Sequence, residues 1–153
     1  MNNKFWKKKK ILITGIDGFV GSNLAKKLIQ YGANVSGIIQ KKKNSLLYFE
    51  GLHKKCKIFT GDINDDKFIK KIVKKNKFQV LFHLAAQVEV GVANKDPFRT
   101  WESNIRGTYV LLNNFVNNKY IKSIIVASSD KSYGEYPKKF LPYKETYLSR
   151  AVY

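Results

Sequence analysis

Three glycines at a spacing of three, Gly15, Gly18 and Gly21, stand between a short β-branched run (Ile11–Ile13) and a stretch where Val20, Leu24 and Leu28 recur every four residues. The run reads as a buried strand. The recurrence reads as one face of a helix, with Lys26 and Lys27 turned to solvent. A glycine turn in that setting lets backbone N–H groups approach a phosphate, and the helix N-terminus favours its negative charge. The plainer reading is a tight strand-to-helix turn that holds nothing. A second cluster, Ser128-Ser129-Asp130-Lys131-Ser132-Tyr133-Gly134, follows an apolar run from Ser123 to Ala127. If that run is a strand of an open parallel sheet, the cluster lies beyond its carboxyl end, where such sheets bind ligands. Its plainer reading is a polar turn with Asp130 and Lys131 as a surface ion pair.

The elements that must position these residues alternate in type. Asn34 to Ile39, Lys57 to Thr60 and Gln79 to Leu84 read as further strands, with Gly32 closing the first helix. Phe68, Ile69, Ile72 and Val73 form the inner face of a helix that Asn64, Asp65 or Asp66 could cap. Asp96-Pro97 opens a long helix, with Trp101, Ile105, Thr108, Leu112, Phe115 and Val116 on its inner face. The pattern predicts an α/β domain with a doubly wound parallel sheet. At the end of the second strand, a dinucleotide fold places the residue that reads the adenosine ribose. Here Gln40 is followed by Lys41, Lys42 and Lys43. With no carboxylate and three cations, the position permits a 2′-phosphate and favours NADP over NAD. The same lysines also read as a continuation of a basic surface.

The glycine spacing is one residue longer in its first gap than the usual dinucleotide fingerprint. With Phe19 after the second glycine, it resembles that of the extended short-chain dehydrogenase/reductase family. His83-Leu84-Ala85-Ala86 and Asn104-Ile105-Arg106-Gly107-Thr108 resemble further segments of that family, as does Gly61-Asp62-Ile63. The resemblance implies a Rossmann sheet binding NAD or NADP. Gly15, Gly18, Phe19, Val20 and Gly21 would surround the diphosphate, and Gln40 and Lys41 the ribose. Asp62 and Ile63 would hold the adenine, and Leu84, Ala85, Ala86 and Asn104 would complete the pocket. By residue type alone, Asp62 could instead cap the helix that follows. His83, inside an apolar strand, reads as a core or supporting histidine rather than a metal ligand.

The Ser-Ser-Asp-Lys-x-Tyr-Gly cluster is similar to the signature of nucleotide-sugar 4,6-dehydratases, nearest to the CDP-glucose type. That resemblance implies oxidation of a sugar at C4, loss of water across C5–C6, and hydride return. Lys131 would be the base at C5 and Asp130 the acid for the departing hydroxyl. These roles need a neutral amine and a protonated carboxyl. Ser129 would be the hydroxyl of a Ser-Tyr-Lys set. No Tyr from Tyr133 to Tyr147 has a Lys four positions on, so Tyr153 matches the catalytic tyrosine best. The resemblance therefore spans the chain, but the chain spans only the first half of a family member. Residues 1–153 are read as an incomplete cofactor-binding domain without its substrate domain, binding a dinucleotide weakly and turning over poorly or not at all. An open sheet edge, uncovered apolar faces and a tendency to aggregate are expected. A 4-epimerase or reductase on the same scaffold, a non-catalytic remnant, and a basic binding module are the alternatives.

With 153 residues, 44% of them hydrophobic, the chain can bury one core. Its net charge of +18 comes from lysines dispersed as pairs and short runs. That pattern reads as a solvated surface with loose polyanion affinity and no specific nucleic-acid site. The single cysteine, Cys56, excludes an internal disulfide and fits a reducing compartment. The basic Met1–Lys10 segment precedes too few apolar residues for a signal peptide or a membrane span, so a cytoplasmic protein is expected. The expected partner is a nucleotide sugar, and complete family members are expected to be homo-oligomers.

Overall fold

The computed structural model describes residues 4–42 and 44–149. Five strands, β1 (Lys10–Thr14), β2 (Asn34–Ile39), β3 (Lys57–Thr60), β4 (Val80–His83) and β5 (Ser123–Val126), form one sheet in the order β3-β2-β1-β4-β5. Every pairing is parallel. Parallel neighbours need crossover connections, and helices supply them. Helix α1 (Phe19–Gln30) joins β1 to β2, and the short α2 (Leu46–Phe49) lies between β2 and β3. Helix α3 (Asp66–Lys75) leads to β4. A helical run then leads to β5: α4 (Val90–Lys95), α5 (Pro97–Trp101), a π turn (Glu102–Arg106) and α6 (Gly107–Val116).

Side-chain alternation along β1 divides the core into two layers. Ile11 and Ile13 pack with Ala25 and Leu28 of α1 and with Leu47 of α2. Leu12 packs on the other face with Ile69 and Ile72 of α3 and with Leu111 and Phe115 of α6. Helices thus cover both faces of the sheet, as the doubly wound reading expected. The expected open edge is also present: among the described residues β5 pairs with β4 alone, and all four of its residues are exposed.

Local capping follows the sequence. The Asp65 carboxylate accepts from the Phe68 amide (3.1 Å) and starts α3. The Asp96 carboxylate accepts from the Arg99 amide (3.0 Å), with Pro97 in the first helical position of α5.

Two expected helix faces are corrected. In α1 the buried residues are Gly21, Ser22, Ala25 and Leu28, and Val20 is exposed in the first turn. In the run after Asp96, Trp101, Ile105 and Val116 are exposed, and the buried residues are Gly107, Val110, Leu111 and Phe115. The π turn adds one residue per turn to the helix, so a single helical period cannot run from Pro97 to Val116.

Candidate functional site

The chain runs from β1 to its neighbours β2 and β3 on one side, then crosses to β4 and β5 on the other. The carboxyl ends of β1 and β4 are therefore the switch point of the sheet, where a crevice opens between oppositely directed connections. Gly15 and Ala85 meet there. Gly15 has φ +67°, and a Cβ on it would stand 2.9 Å from the Ala85 nitrogen and 3.0 Å from its Cα. Gly21, inside α1, faces the same turn. A Cβ on it would fall on the Gly15 carbonyl oxygen and 2.8 Å from the Ile16 Cα. Gly18 differs, since a Cβ on it would meet only the Gly15 carbonyl oxygen, at 3.2 Å. Gly15 and Gly21 are therefore required by the protein's own packing. Gly18 leaves a surface that an external group could approach.

Gly18 is also the N-cap of α1 and offers no side-chain acceptor. The first-turn amides have no intrahelical acceptor by the geometry of a helix start, so an anion is their natural partner. The turn is held from below by Ser22, whose buried hydroxyl donates to the Ile16 carbonyl (2.9 Å). Phe19 and Val20 are exposed beside it rather than buried in the core.

The other predicted positions lie at the same end of the sheet. Gln40 and Lys41 follow β2 and are exposed. Asp62 follows β3, and its carboxylate accepts from the Asn64 amide (2.9 Å). The cap of α3 is Asp65, so Asp62 is left as an exposed carboxylate and not as the helix cap that its residue type also allowed. Ile63 packs on Gly107, where a Cβ would stand 2.5 Å from its Cδ1. Leu84, Ala85 and Ala86 leave β4 with partial to full exposure. Asn104 sits in the π turn and holds the backbone of Gln87 at both groups: its Oδ1 accepts from the Gln87 amide (2.7 Å) and its Nδ2 donates to the Gln87 carbonyl (3.0 Å).

Two threonines complete this end of the sheet: Thr14, which the sequence reading did not assign, and Thr108, which it placed only on a helix face and in a family-like segment. The Thr14 hydroxyl accepts from the amides of Leu84 (3.2 Å) and Ala85 (3.1 Å). It also lies 2.7 Å from His83 Nδ1. His83 Nε2 lies 2.9 Å from the Thr108 hydroxyl, which donates to the Asn104 carbonyl (2.7 Å). Thr14 is fully buried and His83 is 3% exposed. Burial pushes the His83 pKa below its ordinary value. Their contact with His83 was not legible in the sequence, because Thr14 lies 69 positions and Thr108 25 positions from it.

Beyond β5, Ser129 caps a 3-10 turn over Asp130–Tyr133, accepting from the Lys131 amide (3.2 Å). The Ser129 hydroxyl also donates weakly to Asp130 (3.4 Å). A turn of this kind spreads successive side chains, so Asp130 and Lys131 leave it in different directions, both exposed. Among the described residues they form no ion pair with each other. Tyr153 lies outside the described residues. Two open cavities, of about 330 and 340 Å³, lie between α3 and α6 and at the amino ends of β1 to β3. Neither contains a residue of this site. Among the described residues no group of His, Cys, Asp and Glu is arranged to hold a metal ion, and no helix is long and apolar enough to cross a membrane.

A family model described as GDP-mannose 4,6 dehydratase matches residues 12–153, nearly the whole chain. The chain belongs to that family. Within the GDP-mannose 4,6 dehydratase family and its relatives, similarity extends to more than one activity. The chain is 31% identical over 135 residues to a CDP-glucose 4,6-dehydratase of Salmonella typhimurium, covering 87% of this chain and 38% of that protein. A UDP-glucose 4-epimerase of Thermotoga maritima, solved with UDP-glucose, superposes with a TM-score of 0.80 at 30% identity, over 94% of this chain and 45% of that one. The UDP-glucose 4-epimerase of Bifidobacterium longum, solved with NAD+ and UDP, gives a TM-score of 0.81 at 25% identity, over 93% and 43%. The chain thus spans less than half the length of these relatives.

Proposed function

We propose that this chain is the cofactor-binding part of an NAD(P)-dependent enzyme acting on nucleotide sugars, and that the reaction is a 4,6-dehydration. The observation that carries the cofactor reading is the cradle around Gly18: a Cβ there meets only one carbonyl oxygen, while the helix start beside it lacks a side-chain cap. A diphosphate fits such a cradle, because it needs close backbone approach and unpartnered amides. Gly15, Gly18, Phe19, Val20 and Gly21 would hold it. Gln40 and Lys41 would face the ribose, Asp62 and Ile63 the adenine, and Leu84 to Ala86 the remainder, with Asn104 fixing the segment that follows.

A bound nicotinamide supplies reversible hydride exchange with the sugar at C4. The chain's own residues do the rest. Ser129 orients the C4 oxygen through its hydroxyl. Lys131 takes the proton from C5, made acidic by the neighbouring carbonyl, and Asp130 gives a proton to the departing C6 hydroxyl. Tyr153 accepts the C4 hydroxyl proton. The splayed placement of Asp130 and Lys131 in a turn supports this reading, since strand neighbours would point to opposite faces.

Epimerisation at C4 is the second reading, favoured by the close superposition on UDP-glucose 4-epimerases. It would use Ser129 and Tyr153 without the acid–base pair. The test is expression of the chain joined to its natural downstream sequence, incubated with nucleotide hexoses. A 4-keto-6-deoxy product, lost in Asp130→Asn and Lys131→Met, is the expected result. A 4-epimer with no loss of water, undiminished in both variants, overturns the dehydratase assignment.

A further inference from the structure

The hydrogen bonds around His83 have only one consistent direction. A threonine hydroxyl has one proton and two lone pairs. At Thr14 both lone pairs are engaged, one by the Ala85 amide at 3.1 Å and one by the Leu84 amide at 3.2 Å, which is shared with the Thr14 carbonyl at 3.3 Å. The Thr14 proton must therefore go to the remaining neighbour, His83 Nδ1, at 2.7 Å. Nδ1 is then an acceptor and carries no proton. The proton of the neutral ring lies on Nε2, which donates to the Thr108 hydroxyl at 2.9 Å. Thr108 spends its own proton on the Asn104 carbonyl at 2.7 Å. Asn104 closes the chain on Gln87, bonding both its amide and its carbonyl.

We infer that His83, held neutral with its proton on Nε2, is a positioning residue: it orders Leu84 to Gln87 against Gly15 by orienting Thr14 on one side and Thr108 on the other. The network bridges β1, β4, the π turn and α6, and it touches the connecting segment at Leu84, Ala85 and Gln87. Those are the amides that set how closely Ala85 approaches Gly15. A ring bearing a proton on Nδ1 would face a hydroxyl with no free lone pair. The Thr14 hydroxyl would then have to release the Ala85 amide or leave Leu84 to the Thr14 carbonyl alone, and its own proton would lose its acceptor. Among the described residues the ring nitrogens of His83 bond only these two threonines, neither of which is charged, and burial accounts for its lowered pKa. On the elements packed against it, Glu102 and Arg106 pair with each other at 2.9 Å. The consequence for dinucleotide affinity rests on the cofactor reading above; the tautomer and the ordering of the segment do not.

Long-range proton–nitrogen correlation spectra of the chain at neutral pH read the tautomer directly. The expected pattern is an unprotonated Nδ1 and a protonated Nε2 at His83. A protonated Nδ1, or a cationic ring, overturns the inference. Amide exchange gives a ligand-free second readout. Asn in place of His83 keeps an acceptor near the Nδ1 position, whereas Gln keeps a donor near the Nε2 position. His83→Gln and Thr14→Val are expected to speed exchange at Ala85 roughly tenfold, as for one lost buried hydrogen bond, with a smaller effect at Leu84, which keeps the carbonyl of residue 14, and with His83→Asn close to wild type. Equal exchange in all folded variants overturns the positioning role. Calorimetric titration with NAD and NADP separates the two claims. Binding to neither by the wild type defeats the cofactor reading and leaves the spectra and exchange rates to decide this one. If the wild type binds, His83→Gln weakens affinity roughly tenfold and His83→Asn does not.

Discussion

Gly15 and Ala85 touch backbone to backbone: no Cβ fits on the glycine, because it would stand 2.9 Å from the alanine nitrogen. The turn after β1 and the turn after β4 therefore share one surface, although Thr14 and the His83 it contacts are 69 positions apart in the chain. The crevice depends on that contact, and the predictions below test parts of it.

The three glycines are expected to separate by experiment. Gly15→Ala forces a left-handed backbone on a residue with a Cβ and drives that Cβ into Ala85, costing about 1–3 kcal/mol. Gly21→Ala meets the Gly15 carbonyl and the Ile16 Cα, with overpacking of about 1–3 kcal/mol. Gly18→Ala needs the Gly15 carbonyl to give only slightly, so its urea midpoint should match wild type within about 0.5 kcal/mol. If the proposed cradle holds the diphosphate, its dinucleotide affinity should nevertheless fall by at least about tenfold, since the added methyl would stand in the approach path. A Gly18→Ala chain that binds as tightly as wild type would show that the cradle is not the diphosphate site.

Discrimination between the two dinucleotides should respond to Gln40. A carboxylate at the end of β2 accepts hydrogen bonds from a ribose 2′-hydroxyl and repels a 2′-phosphate. Gln40→Asp is therefore expected to strengthen NAD relative to NADP by about tenfold. Titration of wild type and variant with both nucleotides checks it. Unchanged relative affinities would place the ribose elsewhere.

Stability should depend on pH through His83. Burial holds its folded pKa below the ordinary 6.5, so the unfolded chain binds more protons than the folded one between those values. The contribution is complete above the unfolded pKa and is lost as pH falls from there toward the folded value, at no more than about 1.4 kcal/mol per unit. Urea midpoints measured from pH 7.5 to pH 5 should fall more steeply for wild type than for His83→Asn. Parallel slopes would mean that the ring titrates alike in both states.

Cys56 should be inert in the folded chain. Burial pushes its pKa from 9.0 up to about 11, which lowers the thiolate fraction about a hundredfold near neutral pH. It packs against the Ile11–Leu28 layer of the core. Iodoacetamide labelling should be slow in buffer and fast in urea. Rapid labelling of folded protein would contradict the packing at β3.

The sequence made much of this arrangement legible. Ile11–Ile13 with the glycines marked β1, its turn and α1, and the polar residues ahead of Phe68 and Arg99 marked two helix starts. These features depend on residues within a few positions of one another. What stayed hidden depends on distant parts of the chain. Thr14 and Thr108 are ordinary strand and helix residues until the fold brings both to His83. The faces assigned to Trp101, Ile105 and Val116 failed because a regular period was assumed through the π turn. Val20 failed because Gly21, Ser22, Ala25 and Leu28 take the buried face of α1 and leave it outside. At Asp62, two uses of one carboxylate were compatible with the sequence, and the geometry of Asp65 removed the capping one.

The π turn at Glu102–Arg106 also sets a constraint on length. An extra residue in a helix offsets everything before it from everything after it by about 100°. That offset lets Asn104 grip Gln87 while Val110, Leu111 and Phe115 remain seated on the sheet. The distance from Asp96 to Gly107, counted in residues, is therefore fixed. On this largely solvent-facing stretch, an insertion or deletion of one position would be more disruptive than most substitutions.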